Sequence, residues 1–276
     1  MPLPRFLRFS ALTGFIERYL LFCVYIYLTW VQWGYIQVNW AGLHPAAPAV
    51  LTPADRATWL SYLSCNAILM ALNFIMALVL LIGRRAVAQP RRLKEVILPL
   101  VVSYYFVIFN YAIDPPGWLP PPPAWLLKNY APENWQETLV IFSLALGTLG
   151  TAFSLWGIAT LGRSFGIFVA VRTVVLGGPY RIVRHPMYCG YIIGSLGLLA
   201  ATCNIALAVL VPVQIALFAW RAKLEEARLA EFSADYRAYQ QSSGFFYPKW
   251  GTRAFAVVSA LFLLALVGLG VALARQ

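Results

Sequence analysis

Two short segments of this 276-residue chain concentrate the side chains able to do chemistry. The first is GPYRIVRHPMYCG, residues 178–190. Gly177, Gly178 and Pro179 form a turn. Arg184 and His185 stand immediately before Pro186, whose ring holds the preceding residue in extended backbone and suits the first position of a helix. The pair therefore belongs at the mouth of a helix beginning near 186, where free backbone N–H groups favour an anion. Tyr180 and Tyr188 flank it. The plainer reading is that Arg181 and Arg184 are charge markers on one side of a membrane and His185 is incidental. The second segment is RAKLEEARLAEFSADYRAYQQ, residues 221–241. Leu224, Leu229, Phe232, Tyr236 and Tyr239 have approximate helical spacing on one face. Glu225 and Glu226 follow Trp220 by about one turn, at the end of an apolar stretch. Carboxylates are costly there without partners or a ligand. The arginines and His185 of the first segment are candidate partners. Equally, a carboxylate is available to the hydroxyls or amine of a bound cofactor. The plain alternative is an amphipathic helix with solvated charges lying on a bilayer.

The elements that must position these residues are apolar. Hydrophobic residues make up 61% of the chain and charged residues 11%, against roughly 45–50% and 25% in an ordinary soluble domain. This excludes a typical soluble enzyme, a disordered tail and a disulfide scaffold. At about 20 apolar residues per crossing, seven spans are expected: about 15–36, 59–82, 93–113, 137–160, 187–203, 205–220 and 254–273. The fifth and sixth are short, parted only by Asn204, and read as a tight helical hairpin. The expected fold is an all-α polytopic bundle of about seven spans with a cytoplasmic cofactor pocket. With the N-terminus in the cytoplasm and the C-terminus outside, 18 of the 21 basic residues fall on the cytoplasmic side. The net charge of +11 is thereby read as a membrane orientation signal and not as a nucleic-acid footprint.

Three units follow. Residues 1–136 form a three-span region with an outer loop rich in proline and tryptophan (Pro120 to Pro123, Trp118, Trp125, Trp135), stiff and suited to a membrane interface. Residues 137–253 form the core that carries both segments, and residues 254–276 add a C-terminal helix. Cys23, Cys65, Cys189 and Cys203 lack metal-ligand spacing, and no metal site is expected. Gly194 and Gly197 suit close helix packing. Asn66 and Asn73 share a face for interhelical hydrogen bonding, Asn110 and Gln214 suit packing, and His44 lies in an outer loop.

The two segments, with LGRSF (161–165) ahead of them, resemble the isoprenylcysteine carboxyl methyltransferase family, whose relatives include phospholipid N-methyltransferases and membrane sterol reductases. The resemblance covers about residues 155–241. One departure is Ser233-Ala234, where the family often has a glycine. The resemblance implies S-adenosylmethionine in a cytoplasm-facing pocket lined by Tyr180, Arg184, His185, Pro186, Tyr188 and Gly190, with Glu225 and Glu226 from the second motif and Tyr236 and Tyr239 in support. Arg184, His185 and Glu225 are the catalytic candidates. The donor arrives activated, so alignment and exclusion of water are the main demands. A carboxylate acceptor would need only an arginine to position it, Arg184 or Arg172. An amine or thiol would need a base, Glu225, Glu226 or His185. The expected acceptor is a lipid or lipidated molecule entering from the bilayer, and the expected location is a bacterial inner membrane with the site facing the cytoplasm. A nicotinamide-dependent membrane reductase on the related scaffold and a non-enzymatic membrane module are the alternatives.

Overall fold

In the computed structural model, residues 12–44, 53–113 and 120–251 are described. All regular structure among them is helical, apart from two isolated bridges, Ala88 with Val171 and Val183 with Gly244. The principal helices are α1 (Leu12–Leu43), which includes a π-helical turn at Ile16–Leu20; α2 (Pro53–Ile82); α3 (Lys94–Ile113); α4 (Glu133–Leu161); α5 (Pro186–Thr202); α6 (Ile205–Phe232); and α7 (Ala234–Ser242). The most extensive packing joins α4 to α5 and α1 to α2, while α3 and α5 both lie against α6.

The expectation of a seven-span bundle is corrected. Among the described residues, three helices are long and apolar enough to cross a membrane: Leu12–Leu43, Glu133–Ser164 and Ile205–Phe232. The 59–82 stretch lies within α2, and among the described residues it contributes the shorter apolar segment Asn66–Ile82. The 187–203 stretch becomes Pro186–Thr202, 17 residues. At 1.5 Å per residue that is about 25 Å, short of a hydrocarbon core of about 30 Å. Helix α3 starts on Lys94 and Glu95 and contains Pro99. The seventh expected span, 254–273, and the C-terminal unit 254–276 lie outside the described residues, as does Trp118. The N-in, C-out orientation rested on the count of seven and falls with it.

The three long helices are nonetheless apolar on outward faces. Trp30 is 68% exposed, Leu149 64% and Val209 58%. A contiguous apolar exterior of this kind is stable only against another apolar phase, and the protein is membrane-embedded.

The core lies where α1 to α6 converge on the 165–168 loop. Leu21, Tyr25, Leu72, Met76, Leu80, Val102, Ile158, Phe165, Ile167, Phe168, Tyr188, Phe218 and Ala222 form one buried cluster. Its tightest contact is the crossing of α4 and α5. A Cβ on Gly190 would overlap Ser154 Oγ and the Gly150 carbonyl, and one on Gly197 would come within 3.0 Å of the Ser143 carbonyl. Only glycine lets the two backbones approach this closely. Ser154 Oγ donates to the Met187 carbonyl at 3.1 Å across the same crossing.

Helix α5 ends at Cys203, which takes a left-handed conformation (φ 40°). Asn204 then caps α6, its Oδ1 accepting from Leu207 N at 2.8 Å, an arrangement that satisfies one free amide at the helix start. The loop after the four prolines docks on this turn, with Tyr130 N donating to the Cys203 carbonyl at 3.2 Å.

Candidate functional site

The first motif is shaped by its turn. Gly178 adopts φ 56°, which glycine tolerates, and Gly178–Arg181 winds into a 3₁₀ turn. The chain then pairs at Val183 with Gly244, and Arg184 N donates to the Gly244 carbonyl at 2.8 Å. This pins the segment to the residues that follow α7. Pro186 starts α5 with His185 at its N-cap position.

The second motif is carried by one uninterrupted helix. Helix α6 runs from the membrane stretch through Glu225 and Glu226 to Phe232. It stops at Ser233, whose extended backbone begins α7 and whose Oγ accepts from Tyr236 N at 3.2 Å. Ser233 thus acts as a helix cap.

These elements bring most of the expected residues into one cluster. Arg184 Nε donates to Glu226 Oε1 at 2.5 Å, and its NH1 group donates to the carbonyls of Gln240 at 2.9 Å and Ser243 at 2.5 Å. His185 Nε2 lies 2.9 Å from the same Glu226 Oε1. A carboxylate can only accept, so this nitrogen carries the hydrogen. Gln240 Nε2 donates to Glu226 Oε2 at 3.1 Å. Glu226 thus accepts three hydrogen bonds, two on Oε1 and one on Oε2.

Glu225 is held differently. Its Oε1 accepts from Tyr188 OH at 2.7 Å and from Arg221 Nε at 2.9 Å. Its Oε2 approaches only His185 Nδ1, at 3.9 Å, and its side chain keeps 25% exposure. Among the described residues, this oxygen accepts no hydrogen bond, which leaves it the carboxylate oxygen of the cluster with the most spare capacity.

An aromatic wall surrounds the charges. The His185 ring stacks on Tyr188 with centroids 5.5 Å apart, and Tyr188 stacks on Phe218 at 5.0 Å. Phe245 and Phe246 meet His185 edge-on at 5.1 and 6.0 Å, and the Arg184 guanidinium lies 5.5 Å from the Phe245 centroid. Tyr239 OH donates to the Tyr180 carbonyl. Burial, reinforced by the Glu225 charge at Tyr180 and by the Glu226 and Glu225 charges at Tyr236, pushes both hydroxyls well above the usual phenol range, so both stay neutral near pH 7.

Tyr180, Arg184, His185, Pro186, Tyr188, Glu225 and Glu226 thus sit together, with Tyr236 and Tyr239 beside them. Gly190 lies one turn further along α5, against Gly150 and Ser154. Arg172 is elsewhere: its guanidinium pairs with Glu17.

Several residues at the site were not singled out from the sequence. Arg221 bonds Glu225, Ser103 Oγ at 3.0 Å and the Ile167 carbonyl at 2.8 Å. Its position four residues before Glu225 was the available signal. The Phe245-Phe246 pair just after the motif helix was another. Glu17 accepts from the backbone N–H groups of Ile167 and Phe168 at 2.7 and 2.9 Å. A lone glutamate in the first apolar stretch was its clue. Among the described residues, no group of three His, Cys, Asp or Glu side chains is placed to hold a metal.

The same part of the chain is similar to known proteins. Residues 143–231, from the middle of α4 to the end of α6, match the model of the Isoprenylcysteine carboxyl methyltransferase (ICMT) family. Protein-S-isoprenylcysteine O-methyltransferase A of Arabidopsis thaliana is 34% identical over 108 residues, covering 37% of this chain and 55% of the plant protein. Protein-S-isoprenylcysteine O-methyltransferase B of the same plant is 35% identical over 107 residues, covering 36% and 54%. The cobalt-zinc-cadmium resistance protein CzcN of Cupriavidus metallidurans is 30% identical over 123 residues, covering 42% and 55%. The matched part of the chain spans about half the length of these curated relatives. The whole first motif and the Glu225–Glu226 part of the second fall inside residues 143–231, the segment in which the chain matches the isoprenylcysteine carboxyl methyltransferase family.

Proposed function

We propose that the protein is an integral-membrane methyltransferase that uses S-adenosylmethionine and acts on a lipid-like or prenylated acceptor, at a carboxylate or a headgroup. The observation that carries this reading is the spare acceptor, Glu225 Oε2, beside a guanidinium and an aromatic wall at the polar end of an apolar bundle. The donor set fits the cofactor. Arg184 suits its carboxylate, Glu225 and Glu226 suit its ammonium and ribose hydroxyls, and the Tyr188, Phe245 and Phe246 rings suit a sulfonium cation. When bound, the cofactor supplies an electrophilic methyl group.

The protein's own work is then alignment and exclusion of water. Tyr188 and Arg221 hold Glu225 in place, while His185, Arg184 and Gln240 hold Glu226. An acceptor carboxylate is already ionised near pH 7 and needs no base. Access from the bilayer follows from the apolar helices that carry the site. The basic residues gathered at this end favour the cytoplasmic face of a bacterial inner membrane.

The test is binding and turnover with purified protein. S-adenosylmethionine should bind, and Arg184→Ala and Glu225→Ala should each abolish binding or turnover. Unaltered cofactor affinity in both variants would overturn the site. Incubation with radiolabelled S-adenosylmethionine and a total membrane lipid extract then identifies the acceptor: label in a separable lipid marks a headgroup, and label in protein marks prenylcysteine-like chemistry.

A further inference from the structure

Away from the Glu225–Glu226 cluster, five arginines from three parts of the chain meet around two adjoining cavities. The larger, about 720 Å³, is lined by Arg18, Arg84, Arg85 and Arg163 together with Leu81, Ile82 and Gly83. The smaller, about 420 Å³, shares Arg18, Arg84 and Arg85 and adds Arg172 and Glu17. Five guanidinium groups face one carboxylate, leaving an excess of four positive charges. Like charges held this close are unfavourable without a counter-charge.

Structural duties account for only part of the set. Arg18 and Arg163 donate to the carbonyls of Gly83 and Ile82 at the end of α2, where cations complement a helix C-terminus. Arg172 pairs with Glu17, and Arg84 spends one NH1 contact on Thr173 Oγ1 at 3.2 Å. Arg85 is exposed and has no partner among the described residues. A guanidinium has five N–H donors, so most donors around the cavity remain unused.

The surroundings indicate the ligand. Phe15 (60% exposed), Tyr19 (47%) and Ile82 (54%) project beside the arginines, on helices whose apolar faces meet lipid. A basic recess at the polar end of such helices lies at headgroup level, and its apolar rim suits acyl chains. We propose that this arginine-lined recess, between Gly14–Tyr19 of α1 and the end of α2, binds the phosphate of an acidic phospholipid. The site is distinct from the proposed methyl-transfer cluster and does not depend on that reading.

The experiment uses the full chain purified in an uncharged detergent. Dioctanoyl phosphatidylglycerol, dioctanoyl phosphatidylcholine and inorganic phosphate are titrated by calorimetry, and the melting temperature is followed in parallel. Saturable binding of phosphatidylglycerol is expected, with phosphatidylcholine and inorganic phosphate each at least about tenfold weaker. The Arg84→Gln/Arg85→Gln double variant should lose at least about tenfold in affinity, the effect of removing one strong charge-assisted contact or more. It should also lose the lipid-induced rise in melting temperature. The Arg92→Gln/Lys94→Gln variant removes the same charge outside the recess and should stay within about twofold of the parent. Equal phosphatidylglycerol affinity in the Arg84/Arg85 variant and the parent would overturn the proposal. So would equal affinity for phosphatidylcholine, or inorganic phosphate binding as tightly as the lipid, which would assign the recess to a free anion.

Discussion

Arg184 donates its Nε hydrogen to Oε1 of Glu226 at 2.5 Å, joining the first motif to the second across forty-two positions of chain. Both side chains are nearly nine-tenths buried. Removing one partner leaves the other as an uncompensated charge. Arg184→Ala and Glu226→Ala should each lower stability by about 3–5 kcal/mol. The double variant should lose clearly less than the sum of the two, as a double-mutant cycle by denaturation in detergent would measure.

Tyr188 separates ring stacking from hydrogen bonding. Tyr188→Phe keeps the stacks on His185 and Phe218 but removes the donor to Glu225 Oε1. The expected cost is about 1.5–3 kcal/mol, the range for a hydrogen bond to a charged group. Tyr188→Leu, which also loses the stacking, should cost more, and thermal denaturation of the two variants makes the comparison.

The glycines of α5 should divide sharply. Gly190→Ala drives a methyl group into Ser154 Oγ and the Gly150 carbonyl, and overpacking of that kind costs about 1–3 kcal/mol. Gly194→Ala meets nothing within 4 Å of the added carbon and should change stability by less than about 1 kcal/mol, in the stabilising direction set by helix propensity. Melting temperatures of the two variants, side by side, check this.

Glu17 anchors the loop that leads into the site. Glu17→Ala should raise amide exchange at Ile167 and Phe168 by at least about tenfold, since each amide loses an acceptor that is charged and buried. Glu17→Gln keeps a carbonyl acceptor and should retain part of the protection. Exchange measured by mass spectrometry on peptides covering 162–177 reads both.

The residues of the site were legible because their types are unusual for where they stand. A His-Pro step at a helix mouth and a carboxylate pair at the end of an apolar stretch both violate the composition around them. Arg221 was not legible for the opposite reason. Basic residues are expected at the ends of membrane helices, so one more arginine blended into the charge bias, although its three-way bonding to Glu225, Ser103 and Ile167 is among the site's strongest constraints. Ser233 read as a departure from a family pattern, whereas its backbone and hydroxyl make the break between α6 and α7. The span count failed because apolar composition does not fix helix length. Pro186–Thr202 is as apolar as its neighbours, yet the Cys203–Asn204 turn ends it early.

Helix α6 has a mechanical consequence. Pro212 interrupts its hydrogen-bond ladder near the lipid-facing start, and Glu226 lies fourteen residues further on, a lever arm of about 21 Å. A bend of about 10° at the proline would sweep the carboxylate through roughly 4 Å, more than the length of any bond that holds it. Arg221, clamped to α3 through Ser103 and to the 165–168 loop through Ile167, is the brace against that swing. The register of the polar cluster is thus set by how stiffly the rod beneath it stands in the bilayer.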